Sequence, residues 1–234
     1  MSHTFTIIGH CPRTGLLGVC LASSPLSVAA RCVFVKANTG AVSTQAYAHP
    51  GLGPLAIKLL EMDYSPAKVL EELAATDEYA EYRQIGVIDR HGHAAVFTGE
   101  KNLDWKGHIA RRHFIAMGNY LTGGGVVEAM ARVFEESDAE ILEERLMRAL
   151  EAGKDAGGER GGQLSAGLVV FGRDTYARTD LRVDMYDRPT GPGDDAVSEL
   201  RRIFTVWKPM IPYYEARPTN PLIGGWRDWL KTHA

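Results

Sequence analysis

The apolar segments of this chain are grouped by type along its length, and that grouping constrains the fold more than any single motif. Residues 4–8 and 16–22 read as two strands joined across GHCPRTG, where Pro12 and Gly15 make a hairpin connection. CVFVKANTGAVSTQA carries β-branched and aromatic residues on either side of Asn38-Thr39-Gly40, a strand–turn–strand signal. GLGPLAIKLLEMDYSPAKVLEELAATD then holds two helical periods. One rests on Leu55, Leu59 and Leu60, the other on Val69, Leu70 and Leu73, after a Ser65 cap and Pro66. RQIGVIDRHGHAAVFTG returns to a hairpin, and HFIAMGN adds a strand ending at Asn119. Residues 126–151 are helical, with a break near Ser137-Asp138, and the glycine-rich GKDAGGERGG is expected to be mobile. QLSAGLVVFG and ARTDLRVDMYD form a last strand pair, and GDDAVSELRRIFTVW a helix beginning near Asp195.

Grouped strands followed by grouped helices predict an α+β layered domain, not a doubly wound parallel sheet. Nothing repeats at a fixed period and no linker separates two cores. The expectation is one domain over residues 1–207, then a proline- and tryptophan-rich tail over 208–234 that lies on the domain or on a partner.

With 26 basic and 29 acidic side chains the net charge is -3, which argues against nucleic acid or an acidic membrane surface as partner. No stretch approaches the ~20 apolar residues that span a bilayer, and no basic segment leads an apolar core at the start. Cys11, Cys20 and Cys32 have no paired metal spacing, so they read as reduced thiols in a cytoplasmic protein. No metal site and no cofactor is expected. GNYLTGGG lacks the Lys-Ser/Thr of a phosphate loop, and no HxxxH or HExxH places two imidazoles on one helical face. No GxSxG elbow surrounds Ser23-Ser24, and Glu143-Glu144 reads as a solvated helix face.

What remains is a set of polar residues where apolar strands begin or stop. They include Thr4, Thr6, Ser23, Ser24, Ser43-Thr44-Gln45, Tyr82-Arg83-Gln84, Asn119 and Asp180-Arg182-Asp184. Singly, each is a cap or edge residue. In a two-sheet protein such strand ends can converge on one cleft.

TFTIIGHCPRTGLLGVCLASS, GAVSTQAYAHPGLGPLAIKLL, YRQIGVIDRHGHAAVFTGE, AMGNYL, GGQLSAGLVVF and DLRVDMYDRP resemble, in that order, the Ntn-hydrolase-like family catalogued as domain of unknown function 1028. The resemblance runs from about Thr4 to Ile203 and implies a four-layer αββα sandwich with two antiparallel sheets. It also implies an N-terminal nucleophile, whose own α-amine serves as base because its pKa lies near ~7.7–8.0. Members commonly begin Met-Thr-Phe, whereas here Ser2 and His3 precede Thr4. The chain as written starts at Met1, so an untrimmed terminus is expected.

On that resemblance the nucleophile is Thr4 or, failing that, Ser2, acting on a small amide or peptide bond. Lys36 is the lysine candidate for lowering the nucleophile's pKa, against a reading as an outward-pointing strand residue. Backbone N–H groups with Gln45 or Asn119 would stabilise the oxyanion, and Arg83 or Arg182 would hold a substrate carboxylate. Arg182 equally reads as a salt-bridge partner of Asp180 or Asp184. Ser23, Ser24 and Thr44 complete the expected substrate-binding set, with Ser23 or Ser24 as an internal nucleophile in a third reading. The rival is a small-molecule-binding or assembly protein that keeps the fold without catalysis. A homodimer is expected from the aromatic tail, Trp207, Tyr213, Tyr214, Trp226 and Trp229.

Overall fold

The computed structural model describes residues 3–187 and 194–233. Its strands, in chain order, are β1 (Thr4–His10), β2 (Leu17–Ser23), β3 (Val33–Lys36), β4 (Gly40–Ala46), β5 (Arg83–Asp89), β6 (Ala94–Thr98), β7 (Gly107–Arg111), β8 (Phe114–Asn119), β9 (Ser165–Phe171) and β10 (Ala177–Val183). The helices are α1 (Val28–Cys32), α2 (Leu52–Glu61), α3 (Pro66–Thr76), α4 (Gly125–Glu136), α5 (Leu142–Asp155), α6 (Ala196–Trp207), α7 (Ile211–Ala216) and α8 (Trp226–His233).

Two antiparallel sheets result, ordered β10-β9-β2-β1-β8-β7 and β3-β4-β5-β6. Side chains alternate across a strand, and the sequence uses both faces. Phe5, Ile7, Cys20 and Leu168 turn outward onto Met130 and Phe134 of α4, Leu146 of α5 and Phe204 of α6. Ile8, Val19, Leu21 and Met117 turn inward against Ala41 and Ile88 of the second sheet. Val42, Ile85 and Val87 turn away to the opposite side, under Leu52, Leu60 and Leu73 of α2 and α3. Helices, sheet, sheet, helices: the fold is a four-layer αββα sandwich of the α+β class.

The local signals act as their chemistry dictates. Ser65 Oγ accepts from the Lys68 N–H with Pro66 in the first turn of α3, and Asp195 accepts from the Ser198 N–H at the start of α6. The β1–β2 turn places Gly15 at φ 73, a conformation glycine adopts without Cβ strain. Cys11, Cys20 and Cys32 are free and buried.

The tail forms α7 and α8: Ile211 and Tyr213 are buried, α7 packs on β10, and Tyr214 stacks on Trp207 at 4.9 Å. Two expectations give way. Glu143 is not on a wet face but fully buried, because Arg178 of β10 lies over it at 2.7 Å. The glycine-rich loop is tied down: Glu159 is buried and forms a bridge with Leu121, while Arg160 N–H donates to the Tyr120 carbonyl. Among the described residues no helix is long and apolar enough to cross a membrane.

Candidate functional site

β1 is central in its sheet, and its first residue sits between two partners: Thr4 pairs with Ser23 of β2 and with Asn119 of β8. All three are buried. By strand parity Thr4, Thr6 and Ser23 face the second sheet, while Phe5 and Ala22 face the helices. The Thr4 and Ser23 hydroxyls are 3.0 Å apart, and Ser23 Oγ donates to the His3 carbonyl.

Opposite them, β4 and β5 bring in two carboxamides. Gln45 Oε1 accepts from the Thr6 hydroxyl, and Gln45 Nε2 donates to Gln84 Oε1 at 2.8 Å and to the Thr4 carbonyl at 3.4 Å. Gln84 Oε1 also accepts from Asn119 Nδ2 at 3.2 Å. Gln84 Nε2 has two hydrogens and three acceptors within reach: the Gly118 carbonyl at 3.0 Å, Thr98 Oγ1 at 2.9 Å and the Gly107 carbonyl at 3.1 Å. This network bridges the two sheets at one end of the sandwich. Buried and densely bonded, it fixes the position of the Thr4 backbone.

A cleft of about 640 Å³ opens beside it, lined by Ser23 and Ser24, Arg31, Cys32, Tyr47 and Arg83. Thr4 lies behind Ser23, not on the wall. Arg83 is already committed: Nε and Nη2 donate to Asp77 at 2.8 and 3.3 Å, and Nη1 donates to the Tyr47 carbonyl. That bond to Arg83 holds the Asp77 carboxyl below its ordinary range. Arg31 lines the same cleft and has no hydrogen bond or ion pair with another described residue. Its guanidinium is available to an anion.

The structure thus brings together Thr4, Ser23, Gln45 and Asn119, with Ser24 and Arg83 on the adjoining cleft, and separates the other candidates. Thr44 follows the parity of Val42, so it faces α2 and α3 on the far side of the sheet from Gln45. Lys36 does not stand beside Thr4. It pairs with Gly40, roughly 17 Å along β4 from Gln45 at ~3.4 Å per residue, and its exposed ammonium bonds Glu61. Arg182 does not reach the cleft either. It pairs with Gly167 on β9, whose partner Leu21 pairs with Thr6, three strand spacings or about 14 Å from β1. Its guanidinium is held by Asp180 at 2.7 and 2.9 Å. Ser2 lies outside the described residues.

Gln84, one of the polar strand-end residues, proves to be the hub of the carboxamide network, a role its sequence position did not mark. Three participants escaped sequence reasoning. Arg31 comes from α1, a helix too short to show a period. Glu159 and Tyr120 flank the approach to β1. Glu159 is buried, and burial pushes its carboxyl up to about 8, with the Gly161 and Ser24 N–H groups and the Ser24 hydroxyl acting in the opposite sense. No local pattern marks a carboxylate that a glycine-rich loop folds inward.

The sequence pattern of the Family of unknown function (DUF1028) matches residues 4–192. A protein of that family from Silicibacter pomeroyi, known from its crystal structure, is 30% identical, with 97% of this chain and 93% of that chain covered and a TM-score of 0.77. The ancestral β-subunit Anbu from Yersinia bercovieri aligns with 94% of this chain and 98% of its own, at 10% identity and a TM-score of 0.40. No curated protein matches. On the family pattern and the Silicibacter relative, the chain belongs to the DUF1028 family.

Proposed function

We propose that this protein is an amidohydrolase of the N-terminal-nucleophile type, with Thr4 as nucleophile once the chain is cut between His3 and Thr4. One observation carries the reading: Thr4 opens the central strand of an αββα sandwich, its hydroxyl bonded to a serine that lines a cleft. In that state the Thr4 α-amine takes the proton from Oγ1 as Oγ1 attacks the amide carbonyl carbon. The proton passes to the departing amine as the C–N bond breaks, leaving an acyl ester on Thr4. Water then hydrolyses the ester and returns the hydroxyl.

Asn119 is the better side-chain donor for the oxyanion, because one of its two amide hydrogens is uncommitted. Both hydrogens of Gln45 are engaged, so Gln45 positions Thr4 instead. Arg31, with Arg83 beside it, would hold a carboxylate on the substrate, a role for which Arg182 is too distant. Lys36 has no part in this reading, since its charge lies at the other end of β4.

The test is a chain prepared to begin at Thr4 and mixed with a panel of N-acyl amino acids and dipeptides, followed by intact-mass spectrometry. The reading predicts turnover and an acyl adduct on Thr4, both absent in Thr4→Ala. Saturable binding without turnover or adduct would favour the rival, a small-molecule-binding protein on the same fold.

A further inference from the structure

The side chain of His3 fills a built recess. Its ring stacks on Tyr120 with centroids 4.0 Å apart and planes 28° from parallel. Its Nδ1 lies 3.1 Å from Ser24 Oγ and 3.4 Å from Glu159 Oε2. The back wall is Gly161, where a Cβ would stand 2.7 Å from the His3 Nδ1 and 2.8 Å from Ser24 Oγ, so any larger residue would close the recess. Tyr120 is held in the left-handed region at φ 54, its N–H donating to the Leu103 carbonyl and its carbonyl accepting from Arg160. The Arg160 guanidinium, anchored by Nε on the Leu121 carbonyl, stands 5.7 Å from the Tyr120 centroid.

His3 fits this recess imperfectly. Its Nε2 is buried with no partner, and although the Gly161 and Ser24 N–H groups and the Ser24 hydroxyl face the Glu159 carboxyl, none closes a full hydrogen bond on either buried oxygen. A buried carboxyl in that condition is costly unless another group completes it. The missing complement is flat, to lie on Tyr120, and presents two parallel N–H donors, to meet both carboxyl oxygens. A guanidinium has that geometry, and an imidazole offers one donor where two are called for. Ser24 borders both the recess and the arginine-walled cleft.

We infer that the recess between Tyr120 and Glu159 is a binding subsite for a guanidinium group, which His3 occupies as a stand-in. The inference rests on the amidohydrolase reading in taking that group as part of the substrate: a guanidino amide whose reacting carbonyl lies at Thr4 and whose carboxylate lies at Arg31. With the chain cut before Thr4, His3 leaves and the subsite opens next to the new amine.

The experiment begins with the full chain carrying His3→Ala, titrated by NMR with methylguanidinium and with its flat, uncharged isostere methylurea. We expect saturable methylguanidinium binding about tenfold or more tighter than methylurea, the size of one charged hydrogen bond, and no such binding to the parent chain. Glu159→Gln in the same background should erase the preference, and Tyr120→Leu should weaken methylguanidinium while leaving the ordering of the two probes. Equal affinity for the two probes, equal binding by the parent, or a preference that survives Glu159→Gln would overturn the subsite. The chain beginning at Thr4 separates this from the catalytic reading. Binding of methylguanidinium with no amide cleavage leaves the subsite standing and removes the hydrolase. Cleavage of leucine amides as fast as arginine amides does the reverse.

Discussion

The hydroxyl of Thr4 lies 3.0 Å from the hydroxyl of Ser23, and Ser23 in turn donates to the carbonyl of His3, the residue that blocks the Thr4 amine. One serine therefore touches both the proposed nucleophile and the peptide bond whose cleavage would free it. Ser23→Ala should destabilise the fold by about 1 kcal/mol, the net worth of a buried neutral hydrogen bond, and lower the turnover of the Thr4-starting chain about tenfold or more. Urea denaturation and steady-state kinetics measure the two effects. Unchanged turnover would mean that Ser23 is only structural.

Gln84 holds Gln45 and Asn119 in place from the opposite sheet. Gln84→Leu takes the acceptor from Asn119 Nδ2 and the donor from the Gly118 carbonyl, leaves Gln45 Nε2 only its 3.4 Å bond to the Thr4 carbonyl, and should cost roughly 2–4 kcal/mol in unfolding free energy. A loss below about 1 kcal/mol by chemical denaturation would show that the network is not a structural bridge.

The buried Glu159 makes stability depend on pH. Its folded-state pKa, raised to about 8, exceeds the ordinary value of 4.5, so the folded protein holds a proton that the unfolded chain releases between those values. Its contribution is fully present below pH 4.5 and is lost as pH rises through about 8. Denaturation midpoints of the parent and of Glu159→Gln should therefore diverge across that window, the variant gaining on the parent by up to a few kcal/mol. Parallel pH curves would mean that Glu159 is ionised in the folded state.

Arg31 and Arg182 are opposed controls. Arg31→Ala should raise the KM of a carboxylate-bearing substrate about tenfold or more, by removing a charged hydrogen bond. Arg182→Ala, which breaks only its pair with Asp180, should leave KM and kcat unchanged. The opposite ranking would move the carboxylate site to β10.

For the tail, we propose that the exposed Leu222 and Trp226 make the contact of a homodimer. Light scattering should give a dimeric mass for the parent and a monomeric mass for Leu222→Asp. A monomeric parent would contradict the dimer.

The layered fold was legible because its carriers are periodic: leucines at helical spacing in α2 and α3, and continuous apolar runs in strands buried on both faces. α1, five residues long, and β7, a mostly exposed edge strand with sequence GHIAR, carry too little pattern to read. In the site, Thr4, Ser23, Gln45 and Asn119 announced themselves as polar residues at strand ends. Thr44 did so too, but a strand's two-residue period sends neighbours to opposite faces, and only pairing register decides which one meets Thr4. Glu159 and Tyr120 were invisible because their role comes from a loop folding over the start of β1, a contact between residues far apart in the chain.

The central claim is that the Thr4 hydroxyl works only with its own amine free. In the chain beginning at Met1 that nitrogen is an amide bonded to His3, with no useful basicity. The decisive measurement is kcat/KM for one cleaved amide, compared among the Met1 chain, a chain beginning at Thr4, and that second chain with Thr4→Ala. The account predicts that the Thr4 chain exceeds the other two by at least ~10²-fold, the lower range of general-base assistance. Equal kcat/KM for the Met1 and Thr4 chains would contradict it.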